Sequence, residues 1–437
     1  MAERKKITDE LKESFKGALS TGFTHMPFIN AVKRDDVEQV RKMLKKGVKP
    51  DVYSLGKAPL HMAVELASPE MVVSLIRNKA DINIPMKAAN RNTPLDQAIL
   101  NKRPEMIRLL IGYGAAYDRI KPNGRATIHD AAALNNASAM SAMIDAGADP
   151  YIETTNGNNA LTLAVSAGAN ETVRAIAEHP MSSAHIDRVS RKDPELLTAL
   201  MTAAAEGNLE AAEILIDAGA NLEKQSKSGW TAVSIAVNAG HFDIADKLID
   251  AGADFRKSIS QGRSNVLHVL AMAKKEDTAL FAKMLHRGID INAQNDDGST
   301  ALMLAVRTGK VELTKALLAA GAKPNMVEAT GKTALHYAAE TENKDMMSAL
   351  LAHKANPNTV NRATRQPILH EMVMADLPEM AHMLALSGAD PMKKNAQGKD
   401  AIALANSKGL TDLAASLKEK ASSGVKAAFD GKKQFKL

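Results

Sequence analysis

Between Gly298 and Pro324 the apolar residues fall into two short runs with helical spacing. Leu302, Ala305 and Val306 line one side of a first segment that opens at Thr300 and stops at Gly309. Val311, Leu313, Ala316, Leu317 and Leu318 line one side of a second segment, Glu312 to Ala320. Gly321 follows as the left-handed residue that commonly ends a helix. The pattern predicts two antiparallel helices, each too short to be stable alone in water.

The same pattern recurs along nearly the whole chain. Aligned on Leu302, the equivalent positions are Phe28, Leu60, Leu95, Ile128, Leu161, Leu200, Val233, Leu267, Leu335, Leu369 and Ile402. The openings are alike in Ala58-Pro59-Leu60-His61, Thr93-Pro94-Leu95 and Thr333-Ala334-Leu335-His336. The endings are alike in Asp145-Ala146-Gly147-Ala148-Asp149 and Asp250-Ala251-Gly252-Ala253-Asp254. A unit of two thin helices cannot cover its own apolar faces, so stacked neighbours must close a shared core.

These motifs resemble the ankyrin repeat, over about residues 25–420. The resemblance implies an all-α solenoid of about twelve helix-turn-helix units joined by short hairpin loops. It also implies a non-enzymatic protein whose work is binding other proteins. Residues 1–24, with Ile7, Leu11, Phe15 and Ala18 on one face, are expected to form an N-terminal capping helix, and 421–437 a basic C-terminal tail. Between Leu161 and Leu200 the spacing stretches, and Pro180 cannot continue a helix. The insertion around 179–195 would divide the stack into blocks at 25–190, of about five repeats, and 191–420, of about seven. A surface loop on an unbroken stack explains it equally well. A smaller irregularity spans Ile84 to Arg91.

Composition narrows the chemistry. The chain has no cysteine, so disulfides and thiolate metal sites are excluded and a reducing cytoplasm is the simplest compartment. Aromatics make up 3% of residues, which fits thin helices packed closely at alanine and glycine. No run approaches the length of a membrane span, and the opening MAERKKITDELKESFKGALS lacks a signal-peptide core. His61, His129, His268, His336 and His370 share one place in the repeat, where an imidazole would bridge backbone groups of neighbouring units. No His-x-x-x-His pair, Walker-type loop or Gly-x-Ser-x-Gly occurs, so neither a metal, a cofactor nor a catalytic residue is expected. Gly112-Tyr113-Gly114 follows a helix and marks its stop.

Basic residues outnumber acidic ones in the loops, although the whole chain carries only +6. The expected partner-binding residues on that edge are Arg125, Lys227, Arg256, Arg263 and Lys332, with Trp230, the single tryptophan, as an interface anchor. Asn238, Met272, Arg307 and Glu340 are expected to face the concave side, after the buried alanines of their helices. The partner is then another protein with an acidic surface. Nucleic acid is disfavoured because stacking aromatics are nearly absent beside the charges, and no membrane contact is implied. A structural part of a larger assembly, or a bacterial effector working in a host-cell cytosol, are the alternatives left open.

Overall fold

The computed structural model describes residues 25–189, 193–257, 259 and 263–433, with side chains in the last helix described as far as 422. The expected capping helix therefore lies outside the described residues. Helices follow one another in pairs, from 25–33 with Val37–Lys45 to Ala401–Ser407 with Thr411–Lys433. Each of the twelve register positions sits in the first helix of a pair, so the architecture is the all-α repeat array expected. Among the described residues, sheet is confined to Val360–Asn361 paired antiparallel with Gln366–Pro367. No described helix is long and apolar enough to cross a membrane.

In the unit around Leu302 the first helix is Ala301–Arg307 and the second Val311–Ala319. Ala301 through Val306 are all buried, so Met303 and Leu304 join the three residues that periodicity had turned inward. A helix apolar on every side must be covered on every side. Val311–Ala319 covers this one from its own repeat, and Val266–Met272 and Ala334–Glu340 cover it from the repeats on either side. The second helix buries a single stripe, Leu313, Thr314, Leu317 and Leu318.

Two kinds of hydrogen bond recur between neighbouring layers within each unit. The shared histidine accepts from the amide opening its own helix through Nδ1 (Ala126 N to His129, 2.9 Å; Thr333 N to His336, 3.0 Å). Its Nε2 then bonds a carbonyl in the following hairpin: His61 to Asn92 at 3.0 Å, His129 to Ile152 at 2.9 Å, His268 to Ala293 at 3.1 Å and His370 to Lys399 at 3.0 Å. A polar side chain at the base of one hairpin also accepts an amide one repeat on. Asn83 takes Ala116 N at 2.8 Å, Asn292 takes Lys323 N at 2.8 Å, and Asn325 takes Asn356 N at 2.7 Å.

His336 and His370 break the pattern. Proline stands at 367, where the other repeats supply the amide that His Nδ1 accepts, and proline has no N–H to give. His370 Nδ1, His336 Nε2, Gln366 Oε1 and Thr359 Oγ1 are all buried without a hydrogen-bond partner. One joint, between the tenth and eleventh repeats, thus collects most of the unsatisfied buried side-chain atoms found among the described residues.

Contact density divides the chain between Asn221 and Leu222. The irregular loop belongs to the first unit, one repeat ahead of that division. It forms a short 3-10 helix, Pro180–Ala184, whose Ser182 hydroxyl receives the phenol of the buried Tyr151 at 3.0 Å. Asp187 then accepts the Asn221 amide at 3.0 Å, which resumes the loop-to-loop bond after the insertion. Also in the first unit, Lys121 is buried between Asp96, at 3.0 Å, and Asp130. At the other end the last helix continues to Lys433, through most of the segment expected to be a separate tail.

In the second unit successive hairpins approach closely at Gly298. Its φ is +74°, and a Cβ there would lie 3.1 Å from Glu328 Cα.

Two outcomes follow from this packing. Lys121→Ala leaves Asp96 buried without its counter-charge and should cost about 3–5 kcal/mol in a urea melt. Burial holds the His336 imidazole down from 6.5 to about 4. Its neutral form therefore contributes fully above pH 6.5, and the contribution is lost as pH falls from 6.5 through 4, by about 3 kcal/mol. Denaturation of His336→Asn across that window should show a correspondingly shallower pH slope than the parent.

Candidate functional site

The second unit presents a row of side chains at the ends of its first helices. Asn238, Met272, Arg307 and Glu340 are all exposed, on Ala232–Ala239, Val266–Met272, Ala301–Arg307 and Ala334–Glu340. These helices pack against one another in that order. Met374, half exposed at the end of Ile368–Met374, continues the row. It was missed by the sequence reading, although it lies at the same offset from Leu369 as Arg307 does from Leu302.

Three of the expected residues are brought together by one that was not expected, Tyr337. Its ring is nearly buried, with the Arg307 guanidinium 5.7 Å and the Lys332 ammonium 5.5 Å from its centroid. Lys332 Nζ also lies 2.6 Å from Glu340 Oε1, and this carboxylate raises the lysine's affinity for its proton. Burial pushes the Tyr337 phenol up, so it stays neutral. The result is a nearly buried aromatic ring on which two cations converge, one of them paired with Glu340. Each cation–ring contact is worth about 0.5–1 kcal/mol where exposed, enough to orient the Arg307 fork without locking it.

Glu371, one helix further on, is raised by burial, although Thr364 Oγ1 and Asn361 Nδ2 both donate to Oε1, at 3.0 and 3.1 Å. Tyr337 had no sequence signal beyond being an aromatic in a chain poor in them.

On the loop edge the five expected cations differ in their freedom. Lys227 is exposed at the tip of a turn closed by Ser226 N to Trp230 O, 2.8 Å, with Gly229 at φ +80°. Arg256 is paired with Asp254 at 3.0 Å and Arg263 with Asp296 at 3.3 Å, both in the open. Lys332 is engaged as described. Arg125, half-buried in the first unit, has Asp130 at 3.8 Å. The edge is therefore less bare than its composition suggests. Trp230 is half-buried rather than standing out in solvent, and Ser299, at the equivalent place, is buried.

Elsewhere the candidate chemistry is structural. Gly112 ends the helix Pro104–Gly112, and Gly114, at φ +88°, makes the turn after it. His185 packs at 5.7 Å from Tyr151, and His179 lies 3.7 Å from Asp145. Among the described residues no three His, Asp or Glu side chains are placed to hold a metal ion.

The family model for Ankyrin repeats (3 copies) matches residues 28–121, 128–226, 183–259 and 267–361. B-cell lymphoma 3 protein homolog of Mus musculus is 28% identical over 188 residues, covering 41% of this chain and 40% of that protein. Transient receptor potential cation channel subfamily A member 1 of Homo sapiens is 28% identical over 285 residues, 64% of this chain and 22% of that one. The chain thus spans less than half the length of these curated relatives. The crystal structure of human ASB11 ankyrin repeat domain superposes with a TM-score of 0.44 at 24% identity, covering 53% of this chain and 99% of that one.

The Lys332–Glu340 pair is partly exposed on both sides. A double-mutant cycle on Lys332→Met and Glu340→Gln should return no more than about 1 kcal/mol of coupling, so the pair orients side chains more than it stabilises the fold.

Proposed function

Because the chain belongs to the ankyrin-repeat family, whose members are generally protein-binding modules, we propose that it is a non-enzymatic scaffold that grips another protein along the inner helix row of its second unit. The observation that carries this reading is the exposed series Asn238, Met272, Arg307 and Glu340, backed by the nearly buried Tyr337 ring. Met272 supplies a pliable apolar contact, Arg307 a planar donor fork, and Asn238 and Glu340 polar ends. Centres of interfaces favour such a mixture of apolar and arginine anchors.

The loop cations Lys227, Arg256 and Arg263 extend the surface towards an acidic partner. The ion pairs of Arg256 and Arg263 are solvent-accessible, so each is worth at most about 1 kcal/mol and can be exchanged for a partner's carboxylate at little cost. Trp230, half covered already, would lose its remaining solvent contact when a partner settles on that hairpin. Arg125 lies in the first unit and is assigned to a separate part of the same recognition.

Crosslinking in native lysate, read by mass spectrometry, would name the partner and the repeats it touches. With that partner in hand, Met272→Glu and Arg307→Glu should each weaken binding about tenfold or more, as expected of central contacts. Lys315→Glu, on the outward side of a second helix, should leave it unchanged. Because Trp230 is the only indole, its emission should shift to the blue on complex formation. Retained affinity in both inner-row variants would overturn the proposal.

A further inference from the structure

In the first unit, two successive hairpin loops, 80–93 and 115–126, enclose a cleft of about 240 Å³. Pockets for drug-sized ligands run about 300–1,000 Å³, so this one suits a single side chain. Its lining includes the polar residues Arg91, Arg119 and Thr93 and the apolar residues Ile120 and Pro122.

Charge in the cleft is unevenly matched. Asp96 lines it, but its carboxylate is fully engaged. One oxygen takes the Thr93 amide at 2.8 Å and hydroxyl at 3.0 Å, and the other takes Lys121 Nζ at 3.0 Å and Thr127 Oγ1 at 2.7 Å. Lys121 is in turn shared with Asp130, which also has Arg125 at 3.8 Å. Those two acids and two bases balance. Arg91 and Arg119 remain, both exposed, and among the described residues neither has a carboxylate in ion-pairing range. The neighbouring Asp118 is not part of the lining.

Arg91 is delivered here by the loop that departs from the repeat length. The extra residues turn back on themselves, with Arg91 N bonded to Ala88 O at 3.0 Å and Met86 N to Asn92 O at 2.8 Å. This leaves Arg91 at φ +49°, a left-handed conformation unusual for a residue with a side chain. Lys87 over the Tyr53 ring, at 4.3 Å, and Tyr53 Oη bonded to Pro85 O at 2.7 Å hold the base of that loop.

We propose that this cleft receives one anionic side chain of a bound protein, a phosphoserine or a glutamate, with its charge on Arg91 and Arg119 and its aliphatic stem against Ile120 and Pro122. Guanidinium forks suit both oxyanions, because each offers paired oxygens for bidentate donation. The proposal rests on the reading of this chain as a protein binder, but it names a different place and can be tested without the partner.

The test is calorimetric titration of the full chain, at low salt, with three blocked hexapeptides that differ only in a central phosphoserine, glutamate or alanine. Saturable binding in the millimolar range is expected for at least one anionic peptide and not for alanine, and the peptide preferred identifies the source of the anion. Arg91→Gln and Arg119→Gln should each weaken it about tenfold. The double variant should abolish it with the melting temperature unchanged, since both residues are exposed. Lys315→Gln, on the helix Val311–Ala319 and outside the cleft, should have no effect. No binding by either anionic peptide, equal binding of the alanine peptide, or full affinity in the double variant would each overturn the proposal. Because no partner is used, such a failure is separate from failure of the inner-row variants described above.

Discussion

The whole array depends on the contact each repeat makes with its immediate neighbours. First helices such as Ala301–Arg307 are apolar around their full circumference and only seven residues long. They persist because a neighbour on either side and the second helix of the same repeat close over them, removing surface that would otherwise face water. Burial alone would permit sliding. The histidine Nε2 bonds and the loop-to-loop amide bonds fix the register, since each links a defined side chain to a defined backbone group one layer on. Regularity of the backbone is thus a product of the interfaces, and the outer surface is left free to vary.

That division explains what the sequence disclosed. The repeat length, the helix pairs and the bridging role of His61, His129 and His268 were legible because each rests on a pattern sampled many times along one chain. The exposure of Asn238, Met272, Arg307 and Glu340 followed from register alone. Features that occur once were harder to see. Tyr337 reads as one more apolar residue in a first helix, and nothing local announces that two cations converge on its ring. Lys121 reads as an ordinary loop lysine, yet it is buried between two carboxylates from different repeats. Such pairings are long-range and specific to this chain, and periodicity carries no information about them.

The insertion at 179–195 shows how much irregularity the scheme tolerates. Within it, Pro180–Ala184 forms a 3-10 turn whose Ser182 meets Tyr151, and Asp187 returns the chain to its place in the loop series. The shorter excess before Arg91 is used differently, since it turns a basic side chain towards the next hairpin. In both cases the helices keep their spacing while the loops absorb the difference. A similar economy governs charge. The loop edge is rich in lysine and arginine, yet Arg125, Arg256, Arg263 and Lys332 each already have an acid beside them, so composition overstates the field a partner would meet.

Pro367 has a consequence for the order in which the molecule comes apart. An array held only by adjacent layers has no long-range brace, so it parts first at its weakest seam. At the joint between the tenth and eleventh repeats, the proline withholds the amide that His370 Nδ1 would accept, and His336 Nε2 is also buried there without a partner. Parting at this seam would release the last two helix pairs together while the layers before them stay closed. Amide exchange and proteolytic nicking would accordingly begin at Ile368 and spread towards the C-terminus rather than back into the stack.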